Sequence, residues 1–203
     1  MRRCARPRLA ANFLCATNPD ENPAWKSSQQ LIRNLSDITS KGGNYPLNVG
    51  PDAEGIIPEP EVERLKTMGR WLRTNGAAIY GTDAGPYAKL PDWGRVTQRF
   101  NPNGSSTVYV HVWSWPANGK IVLPGVQAAA LSGKLLANGA AVSSAVSSAG
   151  LVVTLPGTAP DADVSVAALE FSAPRQIGEA VIRPVDSSAG GTPLDPSGAT
   201  SPK

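Results

Sequence analysis

The chain has 203 residues, of which 41% are hydrophobic and 17% charged, an ordinary composition for a globular protein. No stretch approaches the roughly 18 to 20 apolar residues that a helix needs to cross a bilayer, so we predict neither a membrane span nor a membrane partner. The formal net charge of +3 comes from arginines within the first ten residues, and the other basic residues form no stripe, which argues against nucleic-acid binding.

Residues 1–20 form an atypical segment, rich in Arg and Ala, that we do not expect to belong to the native fold. Its apolar stretch Leu9–Ala16 is short for a signal peptide, is broken by Asn12 and precedes no clear cleavage site, so the compartment stays open. Both cysteines, Cys4 and Cys15, lie in this segment. We therefore predict that no disulfide framework holds the body of the chain.

A first helix is predicted over Ser28–Lys41. Ser27 and Gln30 fit a capping box, in which side chains bond to free backbone N–H groups at a helix start. Gly42 supplies the residue type that ends helices in a left-handed conformation. Apolar residues recur between these signals at helical spacing, at Leu31, Ile32, Leu35 and Ile38.

A short strand and a second helix are predicted next. Tyr45–Val49 lies between glycines and predicts a brief buried strand, although Pro46 has no N–H to donate to a sheet. A helix is predicted over Glu59–Asn75, because acidic residues occupy its first turn and Gly76 suits the left-handed position after its end. Its apolar stripe consists of Val62, Leu65, Met68 and Leu72.

From Trp93 onward the spacing of apolar residues changes from helical to a period of two. Val108, Val110 and Val112 alternate with larger side chains, so we predict that these valines face the core of an antiparallel sandwich. Further strands are predicted at 120–123, 133–136, 151–155 and 164–171.

These elements divide the chain into a helix-strand-helix unit at 21–82, a linker at 83–92 and a β-sandwich at 93–185. The tail at 186–203 has almost no apolar residues and is predicted to be disordered. Two amphipathic helices around one strand leave apolar faces uncovered, so we expect a larger α/β body to precede the unit.

Short motifs follow one another through both parts of the chain in a fixed order. They are Ser28-Gln-Gln-Leu-Ile-Arg33, Ser40-Lys-Gly-Gly-Asn44, Leu47-Asn-Val-Gly-Pro51, Gly69-Arg-Trp-Leu72, Asn75-Gly-Ala-Ala-Ile-Tyr-Gly-Thr82 and the strand-ending turn Trp115-Pro-Ala-Asn-Gly-Lys120. Over roughly residues 20–172 this string resembles glycoside hydrolase family 29, the α-L-fucosidases.

The resemblance implies an α/β plus all-β chain: the incomplete end of a (β/α)8 TIM barrel followed by an antiparallel β-sandwich. A complete barrel needs about 250 residues. The family removes terminal α-L-fucose with retention through a carboxylate-linked intermediate, without a metal or other cofactor, so a fucosylated glycan is the implied partner. It assigns both catalytic carboxylates to earlier barrel segments. We therefore expect no catalytic residue in this chain, and an inactive fragment.

Two positions depart from the family pattern. The preceding barrel strand should carry a Trp-Gly-Tyr-like segment, which Met1–Pro19 lacks, and we interpret this stretch as a misplaced start or a frame break. Pro46 stands where the family usually has an aliphatic residue, which puts the pairing of the predicted strand in question.

Three residues after the predicted strand are candidates for the rim of a sugar pocket. Asn48 lies near the strand's C-terminal end, and Asp52 and Glu54 follow on the face where such barrels keep their sites. The alternative for Asn48 is a tie between loops. The alternative for the two acids is ordinary turn chemistry within Pro51–Gly55.

Other candidate residues have structural alternatives. His111 is the sole histidine and has no nucleophile motif nearby, so we predict a packed or surface histidine. Trp93, Trp113 and Trp115 suit either stacking on sugar rings or core and interdomain contacts. No Cys/His cluster has metal-ligand spacing and no phosphate-binding glycine loop occurs, so no metal is predicted.

Two Asn-x-Ser sequons begin at Asn34, in the first predicted helix, and at Asn103, in a predicted loop, where alone we expect an acceptor. The competing hypotheses are a non-catalytic carbohydrate-binding or structural β-sandwich module and a sequence that does not fold by itself. A binding module needs its tryptophans in one solvent-facing patch, whereas packing tryptophans are buried.

Overall fold

The computed structural model describes residues 26–85, 87 and 91–173. The predicted segments 1–20 and 186–203 lie outside these residues. Helices α1 (Ser28–Ser40) and α2 (Glu59–Asn75) come first, and α2 runs into a 3-10 turn at Gly76–Ala78. The strands follow as β1 Gly94–Phe100, β2 Ser106–Val112, β3 Lys120–Leu123, β4 Ser132–Leu135, β5 Ser143–Ser147, β6 Gly150–Thr154 and β7 Ser165–Phe171.

Helix α1 begins and ends where its sequence predicts, within one residue. The Gln30 backbone N–H donates to Ser27 Oγ at 3.1 Å, so the side chain satisfies one of the free donors of the first turn. After the helix, Gly42 has a φ of 76°, the left-handed conformation that glycine adopts without steric cost. The predicted start and stop signals are both confirmed.

Helix α2 has the predicted bounds, but its end differs from the prediction. Gly76 has a φ of −59° and is not left-handed, because the chain continues into the 3-10 turn. A Cβ at this position would lie 3.0 Å from the Tyr80 ring. Glycine is therefore favoured here by close packing and not by backbone handedness.

The predicted strand over Tyr45–Val49 is wrong as a strand of this structure. Only Asn48 forms a β-bridge, and the segment has no ladder with another named strand of the described residues. A strand exists through pairing with neighbours, and Pro46 cannot donate to such pairing. The segment instead packs the side chains of Tyr45, Leu47 and Val49 against the core under the helices.

The β domain is an antiparallel sandwich of two sheets. One sheet has the strand order β1-β2-β7-β4 and the other the order β3-β6-β5. Val108, Val110 and Val112 belong to the core between the sheets, so the predicted register of β2 is confirmed. Strand β5 was not predicted, because its Ser- and Ala-rich sequence has no apolar alternation and is mostly exposed.

The outer face of the four-stranded sheet is also covered, and the two helices cover it. Tyr109, Val166 and Ala168 of this face share one core with Leu31 of α1 and Trp71 of α2. The described part of the chain therefore has three layers: helices, four-stranded sheet and three-stranded sheet. None of its helices is long and apolar enough to cross a membrane.

This layering partly corrects the expectation that the helices leave their apolar faces uncovered. Leu31 is fully buried against the β domain. Leu35, Val62 and Leu65 remain only half-buried. The sheet thus buries the side of each helix that packs on it. The opposite side stays accessible, because one sheet covers only part of a helix circumference.

Hydrogen bonds from both helices fasten the helical unit to the β domain. Trp71 Nε1 donates to the Val164 carbonyl at 2.8 Å, and Arg33 Nη2 donates to the Trp113 carbonyl at 2.7 Å. Just beyond the C-terminal end of α2, Thr97 Oγ1 donates to the Ala78 carbonyl at 2.7 Å, and Arg99 Nη2 donates to the Ala77 carbonyl at 2.9 Å. These bonds link α1, the C-terminal part of α2 and the turn after it to the β domain.

Replacing Trp71 by Phe is expected to lower the free energy of unfolding by about 1–3 kcal/mol, because the Val164 carbonyl loses its partner inside the protein. Chemical denaturation of the full chain measures the change. Arg73→Lys, at an exposed position of the same helix, serves as the matched control and should stay within about 0.5 kcal/mol of the parent. Equal stability of the Phe variant and the parent would contradict this role of the indole N–H.

Candidate functional site

The predicted pocket-rim residues lie on one exposed loop between Asn48 and α2. Asp52 Oδ1 accepts from the backbone N–H of Ile56 at 2.7 Å and of Glu54 at 3.1 Å. The Asp52 backbone N–H also donates to the Ile56 carbonyl at 2.9 Å. Asp52 therefore closes this loop on itself in a turn. Asn48, Asp52 and Glu54 are all exposed.

Glu61 anchors this loop to helix α2, and the sequence analysis missed it. It is fully buried, and its Oε2 accepts from the Gly50 backbone N–H at 2.9 Å. Its Oε1 has no hydrogen-bond partner among the described residues. A signal was available, because Glu61 shares a helical face with Leu65 and Met68, whereas the neighbouring first-turn acids do not.

Asp161 and Asp163 form a second acidic pair, also missed from the sequence. They line an open cleft of about 270 Å³ together with Arg70 and Trp71 of α2. Burial raises the pKa of Asp163, the charge of Asp161 raises it further, and Arg33 opposes both. Two neighbouring carboxyl groups, one of them with a raised pKa, are a pattern of acid/base catalysis. No sequence signal separates this pair from an ordinary acidic turn.

The same pair has a structural role that occupies one carboxylate. Asp161 Oδ1 accepts from the backbone N–H of Asp163 at 2.8 Å. The Asp161 carbonyl accepts from Ser165 Oγ at 2.9 Å, at the start of β7. These bonds shape the turn that leads into the strand. The open, shallow cleft would leave a sugar in contact with bulk water, which does not favour a glycosidase site.

His111 is buried between the sheet and the helices, so of the two predicted alternatives, a packed or a surface histidine, the structure shows the packed one. Its Nε2 lies 3.1 Å from Thr97 Oγ1, whose own proton goes to the Ala78 carbonyl. The hydroxyl oxygen can therefore accept from Nε2–H, which assigns the proton to Nε2. Nδ1 has no partner within the described ranges. Burial lowers the pKa of His111 to about 4, against the opposing effect of the Ala78 backbone, so the ring is neutral at pH 7.

The three tryptophans that could stack on sugars are used inside the structure. Trp113 Nε1 donates to Ser36 Oγ of α1 at 3.0 Å, and the Arg95 guanidinium carbon lies 4.1 Å from the centre of the Trp113 ring. Trp115 Nε1 donates to a backbone carbonyl, and Trp93 packs against the sandwich core. All three tryptophans are half-buried, so they do not form the solvent-facing patch that a carbohydrate-binding module needs.

In the part of the chain that the structure describes, no three His, Cys, Asp or Glu side chains come together as ligands for a metal ion. Two places in the described residues carry acidic side chains that could act on a ligand. They are the exposed loop held by Glu61 and the cleft beside α2 that Asp161 and Asp163 line.

Comparison with known proteins relates both parts of the chain to one family. The family described as alpha-L-fucosidase matches residues 16–77. Plasma alpha-L-fucosidase of Rattus norvegicus is 35% identical over 102 residues, which are 47% of this chain and 20% of that protein. Alpha-L-fucosidase of Branchiostoma floridae is 37% identical over 93 residues, 46% of this chain and 20% of that protein. The chain thus spans about a fifth of the length of these relatives.

Solved structures extend the similarity into the β domain. Alpha-L-fucosidase isoenzyme 1 of Paenibacillus thiaminolyticus superposes with a TM-score of 0.65 at 34% identity, over 74% of this chain and 36% of that one. The alpha-fucosidase of Thermotoga maritima in complex with fucose gives a TM-score of 0.62 at 32% identity, over 75% and 36% of the two chains. The motifs, the fold and these matches support an alpha-L-fucosidase family fragment that carries part of a TIM barrel and the β domain.

Proposed function

We propose that this chain is part of an α-L-fucosidase that removes terminal α-L-fucose from glycans with retention of configuration. The observation that carries the proposal is the superposition on the Paenibacillus thiaminolyticus fucosidase, which covers 74% of the chain and so includes both the helical unit and the β domain. In this proposal residues 21–82 end the barrel, 83–92 link it, and 93–185 form the β domain. The Thermotoga maritima relative holds fucose, which supports a fucosylated glycan as the ligand class.

The part of the proposed enzyme that this chain supplies is a rigid wall of the sugar pocket. Glu61 binds the backbone of Gly50, and Asp52 closes the following turn, so both carboxylates hold the loop that carries Asn48. In barrels of this kind, loops after the strands form the active-site face. We therefore propose Asn48, Asp52 and Glu54 as rim residues that contact the glycan and not as groups that break its bond.

The two catalytic carboxylates are proposed to lie outside this chain. A retaining glycosidase needs two carboxyl groups about 5–5.5 Å apart, enclosed enough to keep one of them protonated. Asp52 and Glu54 are both exposed, and Asp52 already accepts two backbone hydrogen bonds. These bonds give Oδ1 of Asp52 a role in closing the turn, which favours a structural function for this carboxylate. The chain's contribution is then scaffold and pocket rim.

A chimera tests this proposal directly. Residues 26–173 replace the structurally corresponding part of the Thermotoga maritima α-fucosidase, which supplies the remainder of the barrel. We expect the chimera to hydrolyse 4-nitrophenyl α-L-fucoside, with the T. maritima protein lacking that part as the inactive control. A chimera with native circular dichroism and cooperative unfolding but no turnover would contradict the proposal.

The same chimera tests the rim. Asn48→Ala is expected to raise KM by roughly tenfold, the effect of losing one hydrogen bond of about 1–1.5 kcal/mol. Asp83→Asn, at an exposed position outside the loop, is the matched control and should leave KM unchanged. A KM unchanged by Asn48→Ala would remove this residue from the rim while leaving the family function standing.

A further inference from the structure

The loop between β1 and β2 carries a sequon that the proposed function does not use. Asn103, Gly104 and Ser105 form the tip of this hairpin, and Asn103 is exposed. Gly104 has a φ of 83°, and no atom lies within 4 Å of the place where its Cβ would be. The tip therefore projects into open space, as an attachment site for a large polar group requires.

The side chains of this sequon are already arranged around the amide. Ser105 Oγ donates to Asn103 Oδ1 at 2.7 Å, and the Ser105 backbone N–H donates to the same oxygen at 3.1 Å. Both bonds go to the carbonyl oxygen. The amide nitrogen of Asn103 has no hydrogen-bond partner among the residues that the structure covers, and the side chain is exposed.

The second sequon has the opposite environment. Asn34 is half-buried in the middle of α1, and its sequon hydroxyl belongs to Ser36, which is fully buried. Ser36 Oγ donates to the Arg33 carbonyl at 2.9 Å and accepts from Trp113 Nε1 at 3.0 Å. A glycan beside this contact would obstruct the docking of α1 on the β domain. The fold thus separates two sequons that look alike in the sequence.

We propose that Asn103, and not Asn34, is the N-glycosylation acceptor of this chain whenever it passes through a glycosylating secretory pathway. The donor is an oligosaccharide bound to a polyprenyl pyrophosphate, and a membrane oligosaccharyltransferase catalyses the transfer. Asn103 Nδ2 forms a bond to C1 of the first sugar, the bond from C1 to the pyrophosphate oxygen breaks, and Nδ2 loses one proton to the transferase. The lipid pyrophosphate is the leaving group.

The acceptor lies far from the proposed pocket rim. Arg99, just before the hairpin tip, binds the Ala77 carbonyl beyond the C-terminal end of α2, whereas the rim loop precedes the N-terminal end of that helix. A helix of 17 residues is about 25 Å long at about 1.5 Å per residue. A glycan at Asn103 therefore leaves the rim open, and this inference stands or fails separately from the proposed function.

Translation of the full chain behind a cleavable signal sequence, in the presence of endoplasmic-reticulum microsomes, tests the proposal without requiring secretion or activity. We expect one glycan, removed by peptide N-glycosidase, in the parent and in Asn34→Gln. The glycan should be absent in Asn103→Gln and in Ser105→Ala, and present in Ser105→Thr, which keeps the hydroxyl. A glycan that persists in Asn103→Gln, or a parent that carries none, would overturn the assignment.

Discussion

The purified full-length chain is expected to release no 4-nitrophenol from 4-nitrophenyl α-L-fucoside above a buffer control. The physical reason is that a retaining glycosidase needs two catalytic carboxyl groups, both of which we propose to lie outside this chain. Loss of a nucleophile typically lowers turnover by several orders of magnitude, and here the acid/base group would be missing as well. A discontinuous assay over many hours, with the Thermotoga maritima enzyme as the positive control, measures the difference.

Two acidic pairs could prove this expectation wrong, and they are distinguishable. Asp52→Asn with Glu54→Gln removes the pair on the rim loop. Asp161→Asn with Asp163→Asn removes the pair in the cleft beside α2, where Asp163 has the raised pKa of a candidate general acid. Turnover that appears in the parent and disappears in one double variant would place the chemistry at that pair and make the chain an enzyme by itself.

Acidification is expected to destabilise the full chain through His111, by about 3 kcal/mol between pH 7 and pH 4. The unfolded chain binds a proton on this ring near pH 6.5, whereas burial holds the pKa of the folded ring at about 4. Below pH 6.5 the unfolded state therefore binds more protons than the folded state, so stability is lost as the pH falls toward 4. Each unit of pKa difference corresponds to about 1.36 kcal/mol.

The effect is measured by urea unfolding at pH 7.5, 6, 5 and 4.5, and it is isolated by comparing the parent with His111→Phe and His111→Gln. Both variants lack the titrating ring, so their stability should fall less over this range. Carboxylates titrate in all three proteins, so their contribution to the pH dependence of stability cancels when the profiles are compared. Burial alone would raise the pKa of Asp37, but hydrogen bonds from Lys41 and Arg95 lower it overall. The stability that ionised Asp37 contributes is therefore lost below pH 3.8. Parallel pH profiles for parent and variants would contradict the assignment.

Local chemistry in the sequence was sufficient to locate most secondary structure. The Ser27 cap, the first-turn acids of α2 and the alternation of Val108 to Val112 act within a few residues, and each element lies where these signals predict. The two failures of prediction concern strand β5 and the Tyr45–Val49 segment, where local signals do not decide the structure. Strand β5 has no apolar alternation because it is a mostly exposed edge strand, and the Tyr45–Val49 segment forms no ladder with another strand of the described residues.

The family motifs in the sequence indicated an α-L-fucosidase, and they also directed attention to the exposed loop at Asn48, Asp52 and Glu54. They did not reveal Glu61, which only its position on the helical face of Leu65 and Met68 separates from the neighbouring acids, and which the structure buries. A sequon by itself does not distinguish Asn103 from Asn34, but the predicted helix around Asn34 and the predicted loop around Asn103 already favoured Asn103.

Only the tertiary structure decided that the helices cover the outer face of the four-stranded sheet. Tyr109 and His111 alternate with core valines, and the sequence pattern alone would leave that second face to solvent. Docking of α1 and α2 buries it, desolvates the imidazole and turns Trp71 and Trp113 into contacts between layers. Burial on both faces of a strand depends on what packs across residues distant in sequence, and a pattern of period two specifies only which residues share a face.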